Sequence, residues 1–188
     1  MVLVVNSHFP VTALGLDLFS GAYLNKSLSL SCPVVYKFAT QNINGLAQRT
    51  RIRMLENFLW KHDVYIALLQ DVTSSQIDTI RRYTKYTHTG TEQRVTAIIV
   101  KDGLTLTNVR RLPSGRGMAG TFNGTCIGNV CAPSGAEWKH ERETFYNTDL
   151  PYLLPTAQSE FILAGDFNCV LLQSDITGRK TLVEPSKT

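Results

Sequence analysis

The chain has 188 residues, a formal net charge of +4 and 43% hydrophobic residues, which suits one domain or a piece of a larger one. Its apolar content is too high for a disordered chain, and its glycine content is too low for collagen. No run of residues approaches the ~20 apolar positions that a membrane helix needs, and no basic segment leads an apolar one, as in a signal peptide. The composition therefore predicts a globular intracellular protein with no membrane partner.

Basic residues are concentrated in one part of the chain. Residues 37–116 hold 13 Lys and Arg against six Asp and Glu, whereas residues 117–188 hold five against eight. This imbalance is typical of an enzyme that attracts a polyanion and keeps carboxylates for a metal ion, but solvated helix faces would produce it equally well. The four cysteines have no Cys-x-x-Cys spacing, which favours reduced thiols over a zinc site or a disulfide framework.

The hydrophobic pattern predicts alternating helices and strands after an irregular start. Residues 1–33 show no sustained periodicity and are interpreted as a poorly ordered lead-in, followed by one domain over 34–188. Periodicity and turn residues then predict, in chain order, a strand over 34–40, a helix over 51–60, a strand over 64–69, a helix over 74–83, strands over 95–100, 104–109, 118–122 and 125–130, a helix over 137–150 and a strand over 161–164.

Three of these strands end in polar side chains, which are Asn42 and Asn44, then Gln70 and Asp71, and finally Asp166 and Asn168. Strand ends in a mixed sandwich form a common edge, where we expect such side chains to converge. Carboxylates and carboxamides together suit Mg²⁺ or Mn²⁺, and phosphodiester cleavage needs such a cation and a carboxylate that orients water. Taken singly, each residue fits a turn or a helix cap equally well.

A family resemblance joins these signals. The motifs that carry it are Asn42-Ile-Asn-Gly-Leu, Ile66-Ala-Leu-Leu-Gln-Asp, Thr96-Ala-Ile-Ile-Val, Asn129-Val-Cys-Ala-Pro-Ser-Gly, Glu141-Arg-Glu and Gly165-Asp-Phe-Asn-Cys-Val. In this order they resemble the endonuclease/exonuclease/phosphatase superfamily, and within it the apurinic-type endonuclease domain of non-LTR (LINE-type) retrotransposons. The resemblance implies an α+β fold, a four-layer α/β sandwich of two mixed β-sheets with outer helices. It also implies Mg²⁺-dependent nicking of DNA, a nuclear site of action and a reverse transcriptase module as partner if the reading frame continues.

The resemblance also assigns roles to individual residues. Asn42 and Asp71 would approach the metal ion, Asp166 would orient or activate the attacking water, and Asn168 would hold the scissile phosphate. The same likeness assigns substrate contacts to Asn44, Cys131 and Arg49.

The chain departs from the family at three points. Asp71 stands where the family usually has a glutamate, so its carboxylate reaches one methylene less far, and Cys131 replaces a tyrosine that helps at the phosphate. The family's catalytic histidine and its aspartate partner lie near the end of its domain, whereas the last histidine here is His140 and only 20 residues follow Asn168. We therefore interpret the chain as a truncated copy that lacks C-terminal strands.

Because the histidine–aspartate pair is missing, we expect DNA nicking at or near background. One alternative is a catalytically inactive, nucleic-acid-binding remnant. Another, ranked last, is a phosphatase or a sphingomyelinase-type phosphoesterase.

Overall fold

The structure is a computed structural model that describes residues 2–5, 20–25, 35–43, 49–90, 95–155 and 161–168. The strands are β1 Val2–Val5, β2 Ser20–Asn25, β3 Val35–Asn42, β4 Ile66–Gln70, β5 Tyr83–Thr89, β6 Val95–Lys101, β7 Thr107–Arg111, β8 Gly117–Phe122, β9 Thr125–Cys131 and β10 Phe161–Asp166. The helices are α1 Arg49–Lys61, α2 Ser74–Ile77, α3 Lys139–Thr144 and α4 Leu150–Leu153, with a 3₁₀ turn at Ala136–Trp138 and a π-helical turn at Phe145–Asp149. Within the described ranges, no helix is long and apolar enough to cross a membrane.

The strands form two five-stranded mixed sheets. The first sheet has the order β2-β3-β4-β6-β5, and the second has the order β1-β10-β9-β8-β7. Helix α1 packs on the outer face of the first sheet, where Leu55 and Leu59 are buried against β4 and β6. The segment from α3 to α4 covers the outer face of the second sheet with Phe145 and Leu153. The predicted α+β four-layer sandwich is thus confirmed.

The core between the two sheets changes from apolar to polar along the strands. In β4, the inward side chains Ile66 and Leu68 belong to the apolar core, and the next inward residue is the fully buried Gln70. In β10, the inward series runs from Ile162 through Ala164 to Asp166 in the same way. Because β3, β4, β9 and β10 all end at this edge, which we call the rim, their polar residues meet there.

Most predicted elements correspond to observed ones, with shifted ends. The predicted helix over 74–83 was wrong in its extent, because α2 is a single turn and β5 begins at Tyr83. Strand β5 has the sequence Tyr-Thr-Lys-Tyr-Thr-His-Thr, in which β-branched and aromatic residues favour an extended backbone. The predicted helix over 137–150 is interrupted by the π-helical turn.

The lead-in over 1–33 was predicted to contain no element. The structure places β1 and β2 in this part of the chain, β1 pairing in parallel with β10 and β2 pairing antiparallel with β3. The other residues of the lead-in, and those after Asn168, lie outside the described residues.

Candidate active site

The rim brings two carboxylates onto one amide group. The Asn42 side-chain nitrogen Nδ2 lies 2.7 Å from Asp166 Oδ2 and 3.5 Å from Asp71 Oδ2. Asn42 ends β3 in the first sheet, Asp71 directly follows β4, and Asp166 ends β10 in the second sheet. The carboxamide therefore joins acidic groups that are contributed by both layers of the sandwich.

Left-handed backbone conformations turn the chain at this rim. Asp71 has a φ of 52° and Asn168 a φ of 45°, a region that Asp and Asn tolerate better than most side chains do. Gly165 has a φ of 143°, and a Cβ atom built on it would lie 2.0 Å from the Val130 carbonyl oxygen of β9. Only glycine permits this close approach of β10 to β9 immediately before Asp166.

The corner formed by residues 166–168 is fixed by backbone and side-chain hydrogen bonds. The Asn168 backbone N–H donates to Asp166 Oδ1 at 3.0 Å, and the Asn168 side-chain Nδ2 donates to the Ala132 carbonyl at 2.7 Å. The Ala132 N–H in turn donates to the Asp166 carbonyl at 2.8 Å. Asp166 and Asn168 are therefore held rigidly to the segment that follows β9.

A row of four polar side chains crosses the first sheet beside the rim, and we call it the polar seam. Its members are Asn42, Gln70, Thr96 and His88, which are register partners on adjacent strands and so point to the same face. Each of them hydrogen-bonds to the second-sheet side: Asn42 to Asp166, Gln70 to Asn129 Oδ1 at 2.5 Å, Thr96 to the Gly115 carbonyl at 3.1 Å and His88 to the Leu112 carbonyl at 2.7 Å. The seam thus fixes the position of one sheet over the other where the carboxylates meet.

The central bond of the seam is fully buried. Gln70 and Asn129 are both 0% exposed, and Asn129 Nδ2 also donates to the carbonyls of Leu69, at 2.9 Å, and Ala97, at 2.8 Å. Gln70 Nε2 lies within hydrogen-bonding distance of Thr40 Oγ1 as well, at 3.2 Å. A buried amide is costly without such partners, and the Gln70 oxygen Oε1 has none among the described residues. The bonds of the two nitrogens fix β9 against β4 one residue before Asp71.

The donor set fits a weakly held hard cation. No cluster of three or more His, Cys, Asp or Glu side chains suited to a metal ion occurs in the described part of the chain. Two carboxylates and the Asn42 amide oxygen would therefore have to be supplemented by water and substrate oxygens, which is how Mg²⁺ is commonly bound. The Cys131 thiol lies beside this set, with Sγ 4.0 Å from Asp71 Oδ1.

The residues predicted from the sequence have different outcomes. The structure brings Asn42, Asp71, Cys131, Asp166 and Asn168 together at the rim. By contrast, Asn44 lies outside the described residues, and Arg49 is described only as the first backbone position of α1.

Sequence reasoning gave no role to three residues of the site, which are Asn129, Thr96 and His88, although Thr96 and Asn129 begin two of the motifs. A carboxamide at position 129, in the otherwise apolar or small-residue run of β9, was the one available signal for a buried hydrogen-bonding partner.

Three solved structures have a fold similar to that of this chain. The zebrafish (D. rerio) protein TDP2, solved with a single-stranded DNA product, matches with a TM-score of 0.58 at 16% identity over 73% of this chain and 62% of its own. TDP2 from C. elegans matches at 0.54 and 19% identity, over 75% of this chain and 49% of its own. The 3' phosphatase NExo from Neisseria, bound to a product DNA hairpin, matches at 0.53 and 18% identity, over 70% and 57%.

The chain has the fold of these solved structures, two mixed sheets with outer helices. They confirm the fold that the motif resemblance implies, although the chain spans only about half to two thirds of their lengths. No protein-family model and no curated protein sequence matches the chain.

Proposed function

We propose that the rim binds a divalent cation, Mg²⁺ or Mn²⁺, and that the chain cleaves phosphodiester bonds in DNA. The observation that supports this most is the placement of Asp71 and Asp166, from different sheets, on the same Asn42 nitrogen. Both carboxylates meet at one neutral amide group, and carboxylate oxygens with water and substrate oxygens are the ligands that Mg²⁺ prefers. Two structures of similar fold were solved with DNA products, which supports nucleic acid as the substrate.

The side chains would divide the reaction between them. Asp71 and the Asn42 oxygen Oδ1 would hold the cation, which when bound stabilises the charge that develops on the phosphate. Asp166 would accept a proton from the attacking water. Asn168 uses one of its two amide hydrogens on the Ala132 carbonyl, so the other is available to donate to a phosphate oxygen.

We expect cleavage to be slow. None of the described histidines, which are His62, His88 and His140, hydrogen-bonds to Asn42 or to either carboxylate, and His88 already contacts the Leu112 carbonyl. A positioned acid–base group typically contributes 10²- to 10⁴-fold to a rate, so a centre without a histidine would retain only part of the family's rate.

The motif resemblance supports an origin in a LINE-type retroelement, with nuclear action beside a reverse transcriptase module.

The test is nicking of supercoiled plasmid in Mg²⁺ and in Mn²⁺. We expect slow, metal-dependent nicking that Asp166→Asn abolishes and that Asp102→Asn leaves unchanged, since Asp102 is exposed at the opposite end of the first sheet. Nicking that survives in Asp166→Asn, or that needs no metal, would contradict the proposed centre.

A second candidate is a DNA-binding domain that does not cleave. It is favoured by the excess of Lys and Arg over residues 37–116, and by the rim bonds of the described part of the chain, in which no histidine takes part. Phosphate contacts release counterions, so binding should weaken steeply as salt rises. Salt-sensitive binding without any metal-dependent nicking would establish this candidate, whereas no binding at low salt would exclude it.

A further inference from the structure

We propose that Tyr146 is a positioning residue for the Asp166–Asn168 corner. Tyr146 belongs to the segment from α3 to α4, residues 139–153, which we call the helical layer. The effect of this residue on catalysis rests on the proposed function. The Tyr146 hydroxyl donates a hydrogen bond to the carbonyl of Phe167. Phe167 stands between the two rim residues, so this bond fixes the peptide that links the group that would activate water to the group that would hold phosphate.

The helical layer is shaped so that its side chains reach this corner. Pro151 has no N–H, and the turn before it widens into a π-helical turn, with the Leu150 N–H donating to the Phe145 carbonyl five residues earlier. Phe145 is buried in the core under the second sheet, and its ring meets the Tyr146 ring edge-on at a centroid distance of 5.4 Å. Phe145 thus packs the helical layer into the core, and the next residue, Tyr146, bonds to the rim.

The other end of the layer is tied to the second sheet. Arg110 of β7 donates to the carbonyls of Leu153 at 2.7 Å, Leu154 at 3.0 Å and Tyr152 at 3.3 Å, at the C-terminal end of α4. A cation is favoured at this position because the carbonyls there carry partial negative charge. The layer is thus joined to the second sheet at the C-terminal end of α4 and to the Phe167 carbonyl at Tyr146.

The corner is also held by packing and by its own hydrogen bonds. The Phe167 side chain is buried in the same core as Phe145, and Asn168 keeps its left-handed conformation by bonds to Asp166 and Ala132. The Tyr146 hydroxyl adds a bond from the helical layer to the backbone of the corner. Without it, the Phe167 carbonyl loses this partner, and the separation of Asp166 and Asn168 depends on the bonds to Asp166 and Ala132 alone among those described.

Tyr146→Phe tests the assignment, with Tyr83→Phe as the matched control. Tyr83 makes the same kind of bond, from its hydroxyl to the Val64 carbonyl at 2.7 Å, at the opposite end of the first sheet. We expect Tyr146→Phe to lower the nicking rate at saturating DNA about tenfold, as a small misplacement of reacting groups does, with unchanged DNA affinity. Tyr83→Phe should leave the rate unchanged.

Amide hydrogen exchange gives a readout that needs no cleavage. The Asn168 amide, which bonds to Asp166 Oδ1, should lose protection about fivefold in Tyr146→Phe, the loss expected for one hydrogen bond, and keep it in Tyr83→Phe. Wild-type protection of Asn168 in Tyr146→Phe, or equal loss in both variants, would overturn the proposal. If the wild-type chain does not nick DNA, the proposed function fails, and the exchange comparison still decides the role of Tyr146.

Discussion

Replacing Asn129 by leucine should destabilise the fold more than the loss of one ordinary hydrogen bond would. The side chain accepts one bond, from Gln70, and donates two, to the Leu69 and Ala97 carbonyls, and it is 0% exposed. Each bond contributes a net of about 1 kcal/mol, and a buried polar group left without its partner costs about 1–3 kcal/mol more. We therefore expect Asn129→Leu to lower the free energy of unfolding by about 3–5 kcal/mol.

The double variant Gln70→Leu/Asn129→Leu distinguishes the buried pair from a mere change of side-chain size. Replacing both partners by apolar groups leaves neither amide of the pair without its partner. The double variant should therefore lose less unfolding free energy than the two single variants together, by at least ~1.5 kcal/mol. Urea unfolding at matched m-values measures these free energies.

The control for this cycle pairs Gln70→Leu with Tyr83→Phe at the far end of the sheet. Their losses should add to within about 0.5 kcal/mol, because the two sites share no partner. If Gln70→Leu and Asn129→Leu are equally additive, the two amides do not act as a unit, and the polar seam does not fix one sheet over the other.

Three further outcomes follow from other parts of the structure. Gly165→Ala should cost more than ~3 kcal/mol of unfolding free energy, because the new Cβ atom would clash with the backbone of β9. Gly103→Ala, at a φ of 89° in open space, should cost about 1 kcal/mol. Equal losses in urea unfolding would contradict this difference. Burial, together with the nearby Asp63 charge, raises the pKa of Tyr83 to about 12 from 10.0. The stability that the neutral phenol contributes is therefore complete below pH 10 and is lost as the pH rises through 12. The absorbance titration of Tyr83→Phe should lack this late ionisation and should otherwise match that of the wild type. Asp71→Glu should bind Mg²⁺ more tightly by calorimetry, because its carboxylate reaches further, and Asp71→Ala should bind it less tightly; no change in either variant would remove Asp71 from the metal site.

The strands of this fold were predictable where burial imposes a clear pattern. β4 is a short apolar run buried on both faces, and β10 leads directly into a conspicuous acidic and amide cluster. β5 was not predictable in the same way, since its alternating threonines, tyrosines, lysine and histidine give no continuous apolar signal. Its strand structure depends on pairing with β6, which a local pattern does not contain.

The sequence predicted the rim residues of the candidate site but not the buried contact between Gln70 and Asn129. Asn42 and Asp166 end strands and Asp71 follows one. Strand ends of a mixed sandwich share an edge, so the convergence of these residues could be inferred. Gln70 and Asn129 lie 59 residues apart on different sheets, and their contact depends on how the sheets are stacked. That stacking is set by the whole inter-sheet core rather than by any local sequence feature.

Paramagnetic broadening of backbone amide signals on titration with Mn²⁺ shows whether the rim holds the divalent cation. We expect the amides of Asn42, Asp71 and Asp166 to broaden first, at substoichiometric Mn²⁺, and Asp166→Asn to weaken the effect. Broadening that begins instead around Asp63 and Asp102, the exposed acids at the far end of the first sheet, would mean that the cation binds elsewhere.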